Sequence, residues 1–190
     1  MPSFAEKLDD YFVRYLAYFN YRNYIDKIEL QGNEKVLEFG CGGGNLSRFL
    51  VERLPKGKLV CIDNSEYWID KSKKRLRDFE NVEIKLEDIL DFNEDILDFN
   101  FDAILIHCVL HDIAEKRGVI NIMSRCLKDK GKIYLRELTR KSHGILREEI
   151  EELMALEGLK KLSSKEGYLL PIRGKVYEGV FIKGVKINVL

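Results

Sequence analysis

One short stretch constrains this chain more than any other. Residues 37–50 read LEFGCGGGNLSRFL, an apolar segment that ends in four glycines within five residues and passes at once into a helical pattern. Backbone this bare between a strand and a helix N-terminus surrounds a ligand in most folds that carry it, because glycine alone accepts left-handed backbone and close approach without a Cβ. The alternative is a plain strand-to-helix turn. The residues around the loop decide between them.

The pattern beyond the loop is strand alternating with helix. Strands are predicted at Lys35–Phe39, Lys58–Ile62, Val82–Leu86, Phe101–Ile106 and Lys132–Glu137, the last after a turn at Lys130–Gly131. Helices are predicted at Asn45–Leu54, Ser65–Arg77 (capped by Ser65), Ala114–Leu127 and Gly144–Leu156. Two more strands, Leu159–Ser164 and Val176–Lys183, follow with only a loop containing Pro171 and Gly174 between them, so they should pair antiparallel at one edge. Ahead of the first strand, residues 4–19 are helical by their Leu8, Phe12, Tyr15, Leu16, Phe19 stripe, and a second helix is expected around 21–29. This is an α/β arrangement: a seven-stranded, mostly parallel sheet with an antiparallel edge, helices on both faces and an N-terminal helical extension. Ligands in such sheets sit at the carboxyl ends of the strands.

The 190 residues suit one domain, with 1–33 as a helical cap and 34–190 as the α/β core. Lysine plus arginine equals aspartate plus glutamate at 32 each, which argues against binding nucleic acid by bulk charge. The KSKKRLR run at 71–77 reads as a solvated helix face. No apolar run nears 18 residues and no basic-then-apolar leader is visible, so a cytoplasmic protein with no membrane segment is expected. Cys41, Cys61, Cys108 and Cys126 lack CxxC spacing and are expected to be free thiols. The sequence DILDFN occurs at 88–93 and again at 95–100, a coincidence or a small duplication rather than an array.

A dinucleotide loop requires G-x-G-x-x-G, and Asn45 stands where the third glycine belongs. Glu38 at the strand tip would oppose a pyrophosphate and favour a ligand with positive charge, such as a sulfonium or ammonium group. VLEFGCGGG resembles the first motif of the class I S-adenosylmethionine-dependent methyltransferases. CIDNS at 61–65, LEDIL at 86–90, FDAILIHCVLHDI at 101–113 and RCLKDKGKIYLREL at 125–138 resemble that family's later motifs, in its order. The resemblance spans about residues 34–183.

It implies S-adenosyl-L-methionine as cofactor. Glu38, Gly40, Cys41, Gly42 and Gly44 would surround its methionine part, and Asp63 would hold the ribose hydroxyls. Asn64 would lie against the adenine, Asp88 would face the adenine amino group, and the Ile89 amide would meet a ring nitrogen. His107 would line the methionine pocket. His111, in the loop after the fourth strand, is the candidate general base. The His107–His111 spacing suits two metal ligands on a helix, but no third ligand is evident, so no metal is expected. The stretch IHCVLHD departs from the Asn/Asp-Pro-Pro-aromatic motif of the family's amino-methylating nucleic-acid enzymes, which argues against base N-methylation and leaves C-, O- or S-methylation open; a small-molecule acceptor is expected. A protein or RNA methyltransferase and a non-catalytic partner subunit are the alternatives, and a monomer or homodimer stays open. Tyr11, Phe12, Tyr15, Tyr18, Phe19, Tyr21 and Tyr24 crowd the N-terminal segment, as a lid over the site or as packing.

Overall fold

In the computed structural model, residues 18–88, 90, 100–139, 144–169 and 174–185 are described. The strands are β1 (Lys35–Phe39), β2 (Lys58–Asp63), β3 (Val82–Leu86), β4 (Phe101–His107), β5 (Leu127–Leu138), β6 (Leu159–Leu169) and β7 (Gly174–Lys183). They form one sheet in the order β3-β2-β1-β4-β5-β7-β6. The first five run parallel, and β7 runs antiparallel to both β5 and β6. Chain order reverses between β1 and β4, which opens a crevice at their carboxyl ends.

The helices are α1 (residues 18–25), α2 (Asn45–Glu52), α3 (Glu66–Leu76), α4 (Lys116–Cys126) and α5 (Arg147–Leu156). Alternation of side chains along each strand feeds two cores. On one face Leu37, Val60, Ile104 and Ile133 pack against Val119 and Met123 of α4 and Ile150 and Met154 of α5. On the other, Val36, Leu59, Leu105 and Tyr134 pack against α1, α2 and α3 through Ile25, Leu50 and Ile69. Apolar residues on both faces of β4 follow from this double cover.

Some expectations need correction. Residues 18–25 are continuously helical, so Asn20 is no break between two helices. Residues 1–17, with Tyr11, Phe12 and Tyr15, lie outside the described residues, as do Pro171 and most of the second DILDFN copy. The bend at Lys130–Gly131 falls inside β5 rather than before it. The strand begins at Leu127, and the pairing jumps from Phe101–Leu127 to Ala103–Lys132. The polar KDKG residues are therefore absorbed as an irregularity, with Lys130 at φ 63°. β6 runs on to Leu169 because pairing with β7 continues to Leu169–Gly174. Ser65 occupies the N-cap position of α3, but its side chain makes no capping hydrogen bond.

Candidate active site

A cleft of about 680 Å³ opens at the carboxyl ends of β1, β2 and β4. One wall is the Gly40–Gly43 backbone, a second is Asp63 and Asn64, and a third is His107, Val109 and His111. Trp68 and Tyr21 close the rim.

The glycine wall is built by the loop between β1 and α2. Gly42 has φ 51°, and a Cβ placed on it meets nothing within 4 Å, so its α-carbon faces open cleft. Its N–H donates to Asp63 Oδ2 at 2.8 Å, and Asp63 Oδ1 accepts from the Ser65 N–H at 3.0 Å. Asp63 thus ties the loop to the end of β2 while keeping lone pairs for a ligand, since a carboxylate accepts at about four sites. Gly44 plays a different part. With φ 73°, it sits where a Cβ would lie 2.6 Å from Ser72 Oγ, so it is glycine for the packing of α2 on α3 and does not line the cleft.

Glu38 forms the floor, 2% exposed. Its Oε2 lies 3.7 Å from the Cys61 thiol. Burial pushes its carboxyl up to about 7, the nearby Asp63 charge adds to this, and the Cys61 contact opposes it. Burial likewise pushes the Cys61 thiol well up, which makes it inert. Cys41 lines the cleft, and its sulfur lies 3.9 Å from Ser72 Oγ.

The third wall joins β4 to β5. His111 Nδ1 lies 2.7 Å from Glu137 Oε2, and its Nε2 lies 3.5 Å from Asp112 Oδ2. The His111 side chain is 4% exposed and that of Glu137 fully buried. Glu137 Oε1 accepts the Val109 and Leu110 N–H groups at 2.6 and 2.7 Å, which fixes the short turn Leu110–Asp112 that carries the histidine. His107 meets the rings of Tyr21 and Tyr24 of α1, each at 5.5 Å between centroids.

The cleft therefore gathers Glu38, Gly40, Cys41, Gly42, Asp63, Asn64, His107 and His111. It does not gather Asp88, which is exposed and accepts the Leu90 N–H at 3.0 Å in a local turn. Ile89 lies outside the described residues. Sequence reading missed Glu137 and Trp68. Glu137 had a signal, for it ends a buried strand with a carboxylate just as β1 and β2 end with Glu38 and Asp63. Trp68 follows the CIDNS motif by one helical turn and is the single tryptophan. Among the described residues no group of three His, Cys, Asp or Glu is placed to hold a metal.

A sheet of this order, with a glycine loop after β1 and an acidic residue ending β2, defines the Rossmann-like fold of the class I S-adenosylmethionine-dependent methyltransferases. The chain belongs to that family: the model for the methyltransferase domain matches residues 30–174. Among curated relatives, it is 28% identical over 137 residues to malonyl-[acyl-carrier protein] O-methyltransferase 1 of Ilyobacter polytropus, covering 70% of this chain and 50% of that protein. It is 30% identical over 116 residues to trans-aconitate 2-methyltransferase of an Acidovorax species, covering 60% and 43%. The chain thus spans about half the length of these relatives. Among solved structures, the N-methyltransferase NodS of Bradyrhizobium japonicum, in complex with S-adenosyl-L-homocysteine, shares the fold at TM-score 0.71 and 17% identity, covering 88% of this chain and 85% of NodS.

Proposed function

We propose that this protein transfers a methyl group from S-adenosylmethionine to a small-molecule acceptor bound in the same cleft, with His111 as the base. The observation that carries this reading is the pairing of two walls: the open face of Gly42, braced by Asp63, and the His111 ring across from it.

The residues fit the cofactor. Gly42 leaves the space a Cβ would fill, Glu38 places a buried carboxyl below it, and Asp63 retains acceptor capacity for ribose hydroxyls. Asn64 and Trp68 offer the rim an amide and an aromatic face. The bound sulfonium supplies an electrophilic methyl group. The protein's share is to align the acceptor, exclude water and take the acceptor's proton, and alignment alone supplies ~7–11 kcal/mol in favourable cases. His111, desolvated at 4% exposure and held by Glu137, suits the last task. The relatives named above are a malonyl-[acyl-carrier protein] O-methyltransferase and a trans-aconitate 2-methyltransferase, and the second name supports a small acceptor here.

The described end of the N-terminal cap supports a roof over the acceptor. Tyr24 and Ile25 are buried in the core, whereas Tyr21 reaches the cleft.

The test is a screen of carboxylate, phenol, amine and thiol acceptors that follows release of S-adenosylhomocysteine. Turnover that needs His111 supports the reading. A folded protein that binds cofactor but turns over no acceptor class would leave a binding subunit in its place.

A further inference from the structure

We infer that Glu137 is a positioning residue for the methyl transfer: it holds His111 in the tautomer whose Nε2 lone pair takes the acceptor's proton. This rests on the reading of His111 as the base.

Glu137 is fully buried, and Oε1 already accepts two backbone N–H groups, from Val109 and Leu110. Its other oxygen lies 2.7 Å from His111 Nδ1. An oxygen that accepts two N–H groups is the arrangement of an ionised carboxylate, which only accepts, and this assignment puts the proton on Nδ1. Nε2, 3.5 Å from Asp112 Oδ2, is then the ring atom that accepts a proton. Free imidazole in water has no such constraint. When the acceptor gives its proton to Nε2, the Nδ1 proton stays in place, and the resulting cation lies between Glu137 at 2.7 Å and Asp112 at 3.5 Å. Both charges are arranged before the reaction, so little reorganisation is needed. The acceptor's freed lone pair attacks the methyl carbon, and the carbon–sulfur bond breaks with its electrons going to sulfur. Protons and charge balance without any further reactant.

Glu137 also does something a simple histidine partner would not. By gripping Val109 and Leu110 it fixes the backbone on which His111 stands, 26 residues away in sequence. Ring orientation and tautomer are therefore set by one side chain. That makes Glu137→Gln a sharp probe. The amide oxygen can still accept from Val109 and Leu110, so the turn is retained. The amide nitrogen then faces Nδ1 and donates to it, which forces the proton onto Nε2 and removes the base.

The experiment is nitrogen-15 NMR of His111 in the full chain, wild type and Glu137→Gln, with selectively labelled histidine and spectra from pH 6 to 10. His111→Asn assigns the signal, and thermal unfolding checks that each variant is folded. The wild type should show the neutral ring protonated on Nδ1, and Glu137→Gln should show it protonated on Nε2. Glu137→Asp should keep the wild-type tautomer. With any acceptor found in the screen, Glu137→Gln should lose ~10²-fold or more in turnover, with cofactor affinity unchanged and partial recovery in Glu137→Asp. A wild-type ring protonated on Nε2, or a tautomer that Glu137→Gln does not move, overturns the inference. Neither result depends on identifying the acceptor, so failure here is distinct from failure of the screen.

Discussion

The two long walls of the cleft are built by different means. The glycine wall is backbone: Gly42 lies open, and one carboxylate, Asp63, anchors it from the next strand. The histidine wall is side chain: His111 is held by Glu137, which lies on the neighbouring strand but far away in sequence. A backbone wall suits an invariant ligand, because its shape owes little to side-chain choice. A wall made from one buried acid and one ring suits chemistry, because a single atom changes its protonation. On the proposed function, the first wall would bind and the second would move the proton.

The largest effect should come from the histidine wall. His111→Ala should lower turnover by ~10²–10⁴-fold while calorimetry finds cofactor affinity nearly unchanged. Equal losses of both would merge the two walls into one structural unit.

Glu38 tests the glycine wall by pH. Its carboxyl is held near 7 in the fold, above the ordinary 4.5, chiefly by burial. A raised folded-state value means that its contribution to stability is full below about pH 4.5 and is lost as pH rises through 7. Glu38→Gln should therefore stabilise the ligand-free protein at pH 8, by on the order of 3 kcal/mol, in urea unfolding. The gain should shrink toward pH 5. The same variant should weaken S-adenosylmethionine, whose ammonium and sulfonium charges favour an ionised Glu38. An equal gain at both pH values would remove Glu38 as a titrating group.

Asp63→Ala should weaken the cofactor by ~1.5–3 kcal/mol, the range for hydrogen bonds to a charged group. It also frees the Gly42 and Ser65 N–H groups, so loosening of the loop should accompany the loss. Unchanged affinity would leave Asp63 as a loop anchor alone.

The smallest effect concerns α1. Its amides should exchange hydrogen faster than those of β4, and slow several-fold when cofactor and acceptor are both bound. Exchange as slow as in β4 and blind to ligands would make residues 18–25 core packing.

Much of the glycine wall was legible in the sequence because its parts are local. Strand, loop, helix and the next strand's acid come in order, and β1 and β3 begin and end where periodicity puts them. Asp88 was the exception. Its motif matches, yet its carboxylate satisfies the Leu90 N–H and stays outside the cleft. A motif fixes residue type and not which way a loop turns it. The histidine wall was half legible. His111 stood out by residue type and place, but its partner could not be read from neighbours. Asp112 is adjacent in sequence and 3.5 Å from Nε2, whereas the closer contact, Glu137, arrives through β4–β5 pairing. The β5 strand pairs with β4 once at Leu127 and then continuously from Lys132, so steady pairing starts where the sequence puts it and residues 128–131 bend between.

The most direct test of the account is a calorimetric titration of S-adenosylmethionine into the wild type and Gly42→Val. Valine would put a branched side chain into the open space at Gly42, and at φ 51° it also strains the backbone by about 1–2 kcal/mol. The wild type should bind one cofactor per chain, and Gly42→Val should stay folded and bind none. Normal binding by Gly42→Val, or no binding by a folded wild type, would contradict the placement of the cofactor on the glycine wall.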